Sequence, residues 1–224
     1  GELLCILSAN YLTSVKTGAS AAVATDVMAR KDASKLGVIG SGVQAFAQVA
    51  AIQEVRPLTE LRVYDLNEER VDAFITRVKA IQNRPYQIIK AVSGDDCVVN
   101  SEIISTCTPS TTPVFHADSL NPGSHLNAIG SFTPLMQEVD EETVMKASKV
   151  VTEHVDELWK VAGDILIPFE KGLITKEKVI GSVGDVLTGK AAGRENDKEI
   201  TMYESNGSGV LDLSTAIAVY EQYR

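Results

Sequence analysis

The stretch LGVIGSGVQAFAQVAAI, Leu36 to Ile52, is where the reading of the fold begins. The apolar run from Leu36 to Ile39 fits a buried strand, Gly40 and Gly42 break it, and the Ala-rich residues from Val43 to Val55 fit a helix. Within this stretch Gly40-Ser41-Gly42-Val43-Gln44-Ala45 fits the pattern G-x-G-x-x-G/A. The first glycine permits a tight turn out of the strand and the second lets backbone approach a pyrophosphate. The small third residue lets helix and strand pack closely, and the helix N-terminus aims unpaired N–H groups at the phosphates. Short glycine turns are common, so the match gains weight only from its surroundings.

Those surroundings agree. The next strand, LRVYD, ends in Asp65, 23 residues beyond Gly42, close to the interval of about 20 at which an acidic residue receives the ribose hydroxyls of a dinucleotide. A carboxylate there repels a 2′-phosphate, so NAD is favoured over NADP; Arg70 in the following helix softens that exclusion. The competing reading is a surface aspartate at a strand end beside a glycine turn that serves packing alone.

Outward from Leu36 the pattern alternates. Strands are expected at LGVIG, LRVYD, YQIIKAV, EIISTCT and SHLNAIG, with helices at Val43–Val55, Glu68–Ile81 and Asp95–Asn100. Such alternation implies right-handed βαβ units and a doubly wound parallel sheet covered on both faces, an α/β chain of Rossmann type. Upstream, Leu3 to Ala9 reads as a strand, followed by one helix from a cap at Thr13 or Ser14 to about Arg30. Downstream come a helix at Asp140–Ala147, a strand KVVTEHV, a helical stretch from Val155 interrupted by Gly163 and Pro168, a polar loop at Gly189–Lys198 and an amphipathic terminal helix from Val210 to Arg224.

The 224 residues, 44% hydrophobic, suffice for a sizeable core. A net charge of −9 without a Lys/Arg-rich run argues against nucleic-acid and anionic-membrane partners. No apolar stretch approaches the ~18 residues that span a bilayer, so a soluble, cytoplasmic protein is expected. Cys5, Cys97 and Cys107 are too scattered for a disulfide framework or a zinc site, and no metal is expected. His116, His125 and His154 share no ligand spacing and read as structural or surface residues. Glu153, Asp156 and Glu157 read as a solvated face and helix start, Cys107 as a small buried residue of the fourth strand, and Trp159 as helix packing.

The order of LTSVKTGASAAVAT, LGVIGSGVQA, ISTCTPSTTPVF, GSHLNAIGSFTP, GDILIPFEKGLI and YESNGSG resembles the ornithine cyclodeaminase/mu-crystallin family, which includes archaeal-type alanine dehydrogenases and ketimine reductases, over nearly the whole chain. The resemblance implies a Rossmann NAD-binding domain at 15–203, with 1–14 the remnant of a substrate and dimerisation domain to which 204–224 return. It implies a homodimer acting on the C–N bond of a small amino or imino acid. The family's catalytic lysine and substrate-binding arginine have no counterpart here, so an N-terminal portion carrying the catalytic residues is expected to be missing. Gly1-Glu2-Leu3, opening in an apolar run without Met, points the same way.

By the same resemblance Gly40, Gly42, Val43 and Gln44 line the pyrophosphate and Asp65 the ribose. Thr106 and Thr108 flank the nicotinamide, although both fit equally well as β-preferring strand residues. Ala128, Ile129, Gly130 and Ser131 form the fifth-strand loop, and Ser205 and Asn206 meet cofactor and substrate near the terminal helix. Lys16 stands where family members usually carry an arginine that contacts cofactor phosphate or substrate carboxylate; it keeps the charge and loses the bidentate fork, unless it is simply a solvated lysine. Cyclodeaminases place an aspartate in the fifth-strand loop, where this chain has Phe132, and a phenyl ring cannot act as a base. The dehydrogenase and ketimine reductase branch is therefore favoured over cyclodeamination, with a nucleotide-binding protein without turnover as the alternative.

Overall fold

The computed structural model describes residues 1–223; Arg224, the last residue of the expected terminal helix, lies outside them. Strand β1 (Lys35–Ile39) runs through the Gly40 turn into α2 (Val43–Val55), as expected from the opening stretch. Strands β2 (Glu60–Tyr64), β3 (Gln87–Lys90), β4 (Ile103–Thr106), β5 (His125–Ala128) and β6 (Lys149–Thr152) lie where the alternation places them. They are followed by β7 (Val179–Ser182) and β8 (Thr201–Glu204), neither of which was expected as a separate strand. The order is β3-β2-β1-β4-β5-β8-β6-β7, and every pairing is parallel.

Helices cover both faces because successive strand residues point to opposite sides. Leu36 and Val38 of β1 and Ile103 of β4 pack against Val49 of α2 and Phe74 of α3 (Glu68–Lys79). Ile39 and Ile104, their neighbours in the same strands, join Val98 of α4 (Gly94–Val99), Val144 of α5 (Glu141–Lys146), Leu158 of α6 (Val155–Val161) and Ile165 of α7 (Gly163–Glu170) on the other face. Ala24 and Met28 of α1 (Ala9–Met28) pack with Val151 and Tyr203, beside Val183 of α8 (Val183–Leu187). Helix α9 (Gly209–Tyr223) packs on α1 and buries no residue fully. Local starts follow the sequence: the side chains of Asn67, Ser93 and Asp140 each accept a backbone N–H at the first turn of α3, α4 and α5.

Two expectations are corrected. Residues 1–8 form no strand, and α1 begins at Ala9, so Thr13 and Ser14 lie inside the helix rather than at its cap. A strand at Leu3–Ala9 would need a neighbour for its N–H and C=O groups, and none of the paired strands among the described residues lies alongside it. Pro168 does not end its helix but sits within α7. Near the C-terminal end its missing N–H removes one hydrogen bond, and its fixed φ suits the helix. Gly163 does mark a boundary: a Cβ there would lie 1.9 Å from the Met136 carbonyl oxygen.

Buried polar groups tie the sheet to α1. His125 is held between Thr201 Oγ1 (2.9 Å) and Asn127 Oδ1 (3.1 Å), and burial pushes its pKa down to about 3, which keeps it neutral and structural, as expected. Asn127 Nδ2 donates to Thr25 Oγ1 of α1 at 3.0 Å. Arg194 pins the polar loop at 189–198 by donating to the carbonyls of Met28 and Ser124.

Helix α1 can lie this close to α2 only because Gly18 has no side chain: a Cβ would stand 2.5 Å from the Ala47 carbonyl oxygen. Gly18→Ala is expected to separate the two helices and destabilise the chain by about 1–3 kcal/mol, read as a lower urea midpoint; an unchanged midpoint contradicts the packing described.

Candidate active site

In an open parallel sheet, a crevice forms at the carboxyl ends of the strands where the strand order reverses. Here that point lies between β1 and β4: the chain steps outward through β2 and β3, then returns to the other side of β1. Gly40 makes the turn with φ +103°, and a Cβ on it would stand 2.6 Å from the Cys107 carbonyl oxygen just beyond β4. Gly42 differs in kind: its φ of −79° suits any residue, and a Cβ would meet nothing within 4 Å. Open space therefore faces the N-terminus of α2.

Ser41 Oγ donates to Asp65 Oδ2 at 2.6 Å, and Asn67 N donates to Oδ1 at 3.0 Å. The turn and the end of β2 are thus one hydrogen-bonded unit, with Asp65 only half-buried.

A cavity of about 970 Å³ opens beside this turn. Its walls include Lys16 of α1, Gln44 of α2, Thr108 beyond β4, Ile129 and Gly130 beyond β5, and Ser205 and Asn206 beyond β8. Seven residues expected at the site thus meet on one surface, drawn from α1 and α2 and from three strand ends. Gly40, Gly42, Val43 and Asp65 build the adjoining turn rather than the cavity wall, while Thr106 and Ala128 are fully buried strand residues behind it and Ser131 is buried in the fifth-strand loop. Gln44 Oε1 is buried with no hydrogen-bond partner among the described residues, an acceptor left open at the site.

Lys16 is not a solvated lysine. Its side chain is 9% exposed, and Nζ pairs with Asp212 Oδ1 of α9 at 2.5 Å, so the cation of α1 ties down the terminal helix at the cavity rim. Phe132 forms an apolar part of the wall and is 60% exposed. His154 and Glu157 reach the rim.

Asp156 and Glu157 lie in the first turn of α6, the helix start expected of them, and only Glu153 departs from a solvated face. Glu153 accepts the Ser205 hydroxyl at 2.5 Å and the Asn206 N–H at 3.2 Å, fixing the loop beyond β8. Cys107 lies just past β4, half-buried on the cavity wall, rather than inside the strand. Burial and the charge of Glu138 push its thiol well up, which disfavours the thiolate. Trp159 packs on Phe169 with ring centroids 5.0 Å apart, as expected of helix packing.

Sequence reasoning missed three buried carboxyl groups behind this wall. Glu138 Oε1 accepts Thr108 N–H at 2.5 Å and Oε2 accepts Gly130 N–H at 2.6 Å. Asp164 Oδ1 accepts the N–H groups of Glu138 (2.7 Å) and Val139 (3.1 Å). Asp164 Oδ2 and both oxygens of Glu204 have no hydrogen-bond partner among the described residues. Burial raises Glu138 to about 7, and burial together with its neighbours' charge holds Asp164 and Glu204 well above the usual carboxylate range. A signal was present for Asp164, which interrupts the apolar run VAGDILIPF; Glu204 carried none, because β8 itself is not announced in the sequence.

The family model for the ornithine cyclodeaminase/mu-crystallin family matches residues 1–224. The chain is 38% identical over 222 residues to a Delta(1)-pyrroline-2-carboxylate reductase of Bacillus cereus, covering 99% of this chain and 67% of that one. Among solved structures it is similar to the Thermococcus litoralis Delta(1)-pyrroline-2-carboxylate reductase in complex with NADH and L-proline, with a TM-score of 0.90 at 31% identity over 95% of this chain and 65% of that one. It is also similar to a dimeric archaeal alanine dehydrogenase with bound NAD, with a TM-score of 0.88 at 34% identity over 95% of this chain and 64% of that one. The chain thus spans slightly less than two thirds of these two solved proteins. With the doubly wound sheet, the glycine turn at the switch point and a family match over its full length, the chain belongs to the ornithine cyclodeaminase/mu-crystallin family.

Proposed function

We propose that this chain binds NAD(H) at the β1–α2 turn and takes part in hydride exchange at the C–N bond of a small amino or imino acid. The observation that carries the reading is the empty space over Gly42, which opens on the N-terminus of the 13-residue helix α2. Unpaired N–H groups at that end favour a pyrophosphate, and a side chain on Gly42 would occupy its place. The half-buried carboxylate of Asp65, held by Ser41, suits the ribose hydroxyls, and the open acceptor on Gln44 suits a donor from the same ligand. When bound, the nicotinamide supplies or accepts the hydride.

The chain's own residues define what is held beside it. Lys16, nearly buried at the rim, offers one cation for the substrate carboxylate once it shares or releases Asp212. Phe132 and Ile129 present apolar surface to the remainder, which suits a short aliphatic or cyclic imine, and the Phe132 ring is no base at the position where cyclodeaminases carry an aspartate. Ser205 and Asn206, fixed by Glu153, supply neutral hydrogen-bonding groups where charge changes at nitrogen. The proline-bound relative supports an imino acid of that size.

We further infer a homodimer. Leu3, Ile6 and Tyr11, together with Val210 and Leu213 of α9, are exposed apolar side chains within 1–14 and 204–224, the two segments that we assign to substrate and subunit contacts outside the nucleotide-binding unit at 15–203. The dimeric alanine dehydrogenase supports this assembly.

Fluorescence titration is expected to show NADH binding at least about tenfold tighter than NADPH, a difference of ~1.4 kcal/mol, with Asp65→Ser narrowing the gap. Equal or tighter NADPH binding removes Asp65 from the ribose site. Gly42→Val should melt within a few degrees of the parent, because its backbone and surroundings admit a side chain, yet weaken NADH binding by about tenfold or more. Parental affinity in that folded variant shows the turn to be packing alone.

A further inference from the structure

Two loops form the floor of the cavity, one beyond β4 at Thr108 and one beyond β5 at Gly130. The strands that carry them are paired, but the loops lie past the last ladder bond. What joins them is Glu138, whose two oxygens each receive one backbone N–H, from Thr108 and from Gly130. Gly130 is packed so closely that a Cβ would stand 2.3 Å from Glu138 Oε2 and 2.1 Å from the Thr108 carbonyl oxygen. We propose that Glu138 is a positioning residue of the site, an ionisable clamp whose carboxylate form fixes both floor loops and whose protonated form releases one of them.

The hydrogen-bond inventory makes this physical. A carboxylate offers an acceptor to each N–H, whereas a carboxylic acid turns one oxygen into a weak acceptor bearing its own hydrogen. Behind Glu138 stand further acceptors without donors: Asp164 Oδ2, both Glu204 oxygens and Asn206 Oδ1. The Thr106 hydroxyl is a donor beside Glu138, and among the described residues no lysine or arginine figures in the causes that shift the three carboxyl groups. Burial and mutual charge hold Asp164 and Glu204 well above the usual carboxylate range, which favours their protonated, O–H-donating forms, whereas Glu138 alone of the three receives a backbone N–H on each oxygen.

The titratable groups packed around Glu138 and its neighbours are Asp164 from α7, Glu204 from β8, Glu153 beyond β6 and Cys107 beyond β4. All four are neutral or anionic and none is cationic, so each additional negative charge disfavours ionisation. Burial pushes the pKa of Glu138 up to about 7. Above that pH the floor is clamped, and below it one loop is freed. The link to cofactor affinity rests on the NAD(H) reading proposed above, whereas the clamp itself concerns the ligand-free chain.

The test is a pH titration of the ¹⁵N-labelled chain between about pH 5.5 and 8.5, following the amide resonances of Thr108 and Gly130, with NADH affinity measured on the same samples. The two amides should move together with one midpoint near 7, and NADH should bind about five- to tenfold more weakly below it. Glu138→Gln should hold both amides and the affinity at their low-pH values throughout. Glu204→Gln, which removes a neighbouring carboxyl without touching either clamp hydrogen bond, should keep the two amides titrating together with one midpoint and so control for general disturbance of the buried cluster. Flat amides in the parent, or separate midpoints for the two, overturn the clamp. Titrating amides with a pH-independent NADH affinity overturn its role at the site, and titrating amides without NADH binding at any pH leave the clamp standing and reject the cofactor reading instead.

Discussion

The approach of the Gly40 turn to the end of β4 is the constraint on which the remaining geometry depends. With φ at +103° and a Cβ position only 2.6 Å from the Cys107 carbonyl oxygen, that residue has to be glycine on both conformational and steric grounds. Because the turn hugs β4, α2 starts directly over the switch point and its N-terminus faces open space at Gly42. The same turn carries Ser41 to Asp65, so the position of the carboxylate at the end of β2 follows from the path of the chain at Gly40. Were the turn displaced from β4, helix end, carboxylate and cavity would no longer share one edge.

A second constraint is the cost of charge in the interior. An isolated buried carboxylate is disfavoured by several kcal/mol unless it is paired, hydrogen-bonded or protonated, and this chain uses the latter two. Glu138 is hydrogen-bonded by two backbone N–H groups, while Asp164 is hydrogen-bonded through one oxygen only and Glu204 through neither. The arrangement places a group that titrates near neutrality one layer behind the cavity wall, with no charge exposed to the ligand itself. Lys16 and Asp212 do the reverse at the rim, where a cation is kept close to the cavity by an anion on another helix.

Much of this was legible in the sequence because periodicity and glycine chemistry are local. Val43–Val55 and the first six strands could be read from apolar runs between turn residues, and Gly40, Gly42 and Asp65 from their spacing. Two strands escaped because their pairing is not local. Residues 201–204 enter between β5 and β6, and the short stretch TMYE carries no alternation that would announce a central strand. The opposite error occurred at Leu3–Ala9, where apolar character suggested a strand that has no partner. Glu138 and Glu153 look like solvated acids in sequence, since what buries or binds them, the N–H groups of Thr108 and Gly130 or the hydroxyl of Ser205, arrives from 8 to 52 residues away.

The central claim is that the helix end over Gly42 is a pyrophosphate site, and a crystal structure of this chain grown with NADH tests it most directly. Phosphate oxygens are expected within about 2.7–3.2 Å of backbone N–H groups in the first turn of α2, with the adenosine ribose on Asp65 and the nicotinamide end in the cavity floored by Thr108 and Gly130. A nucleotide bound elsewhere, with the space over Gly42 holding only solvent, contradicts it.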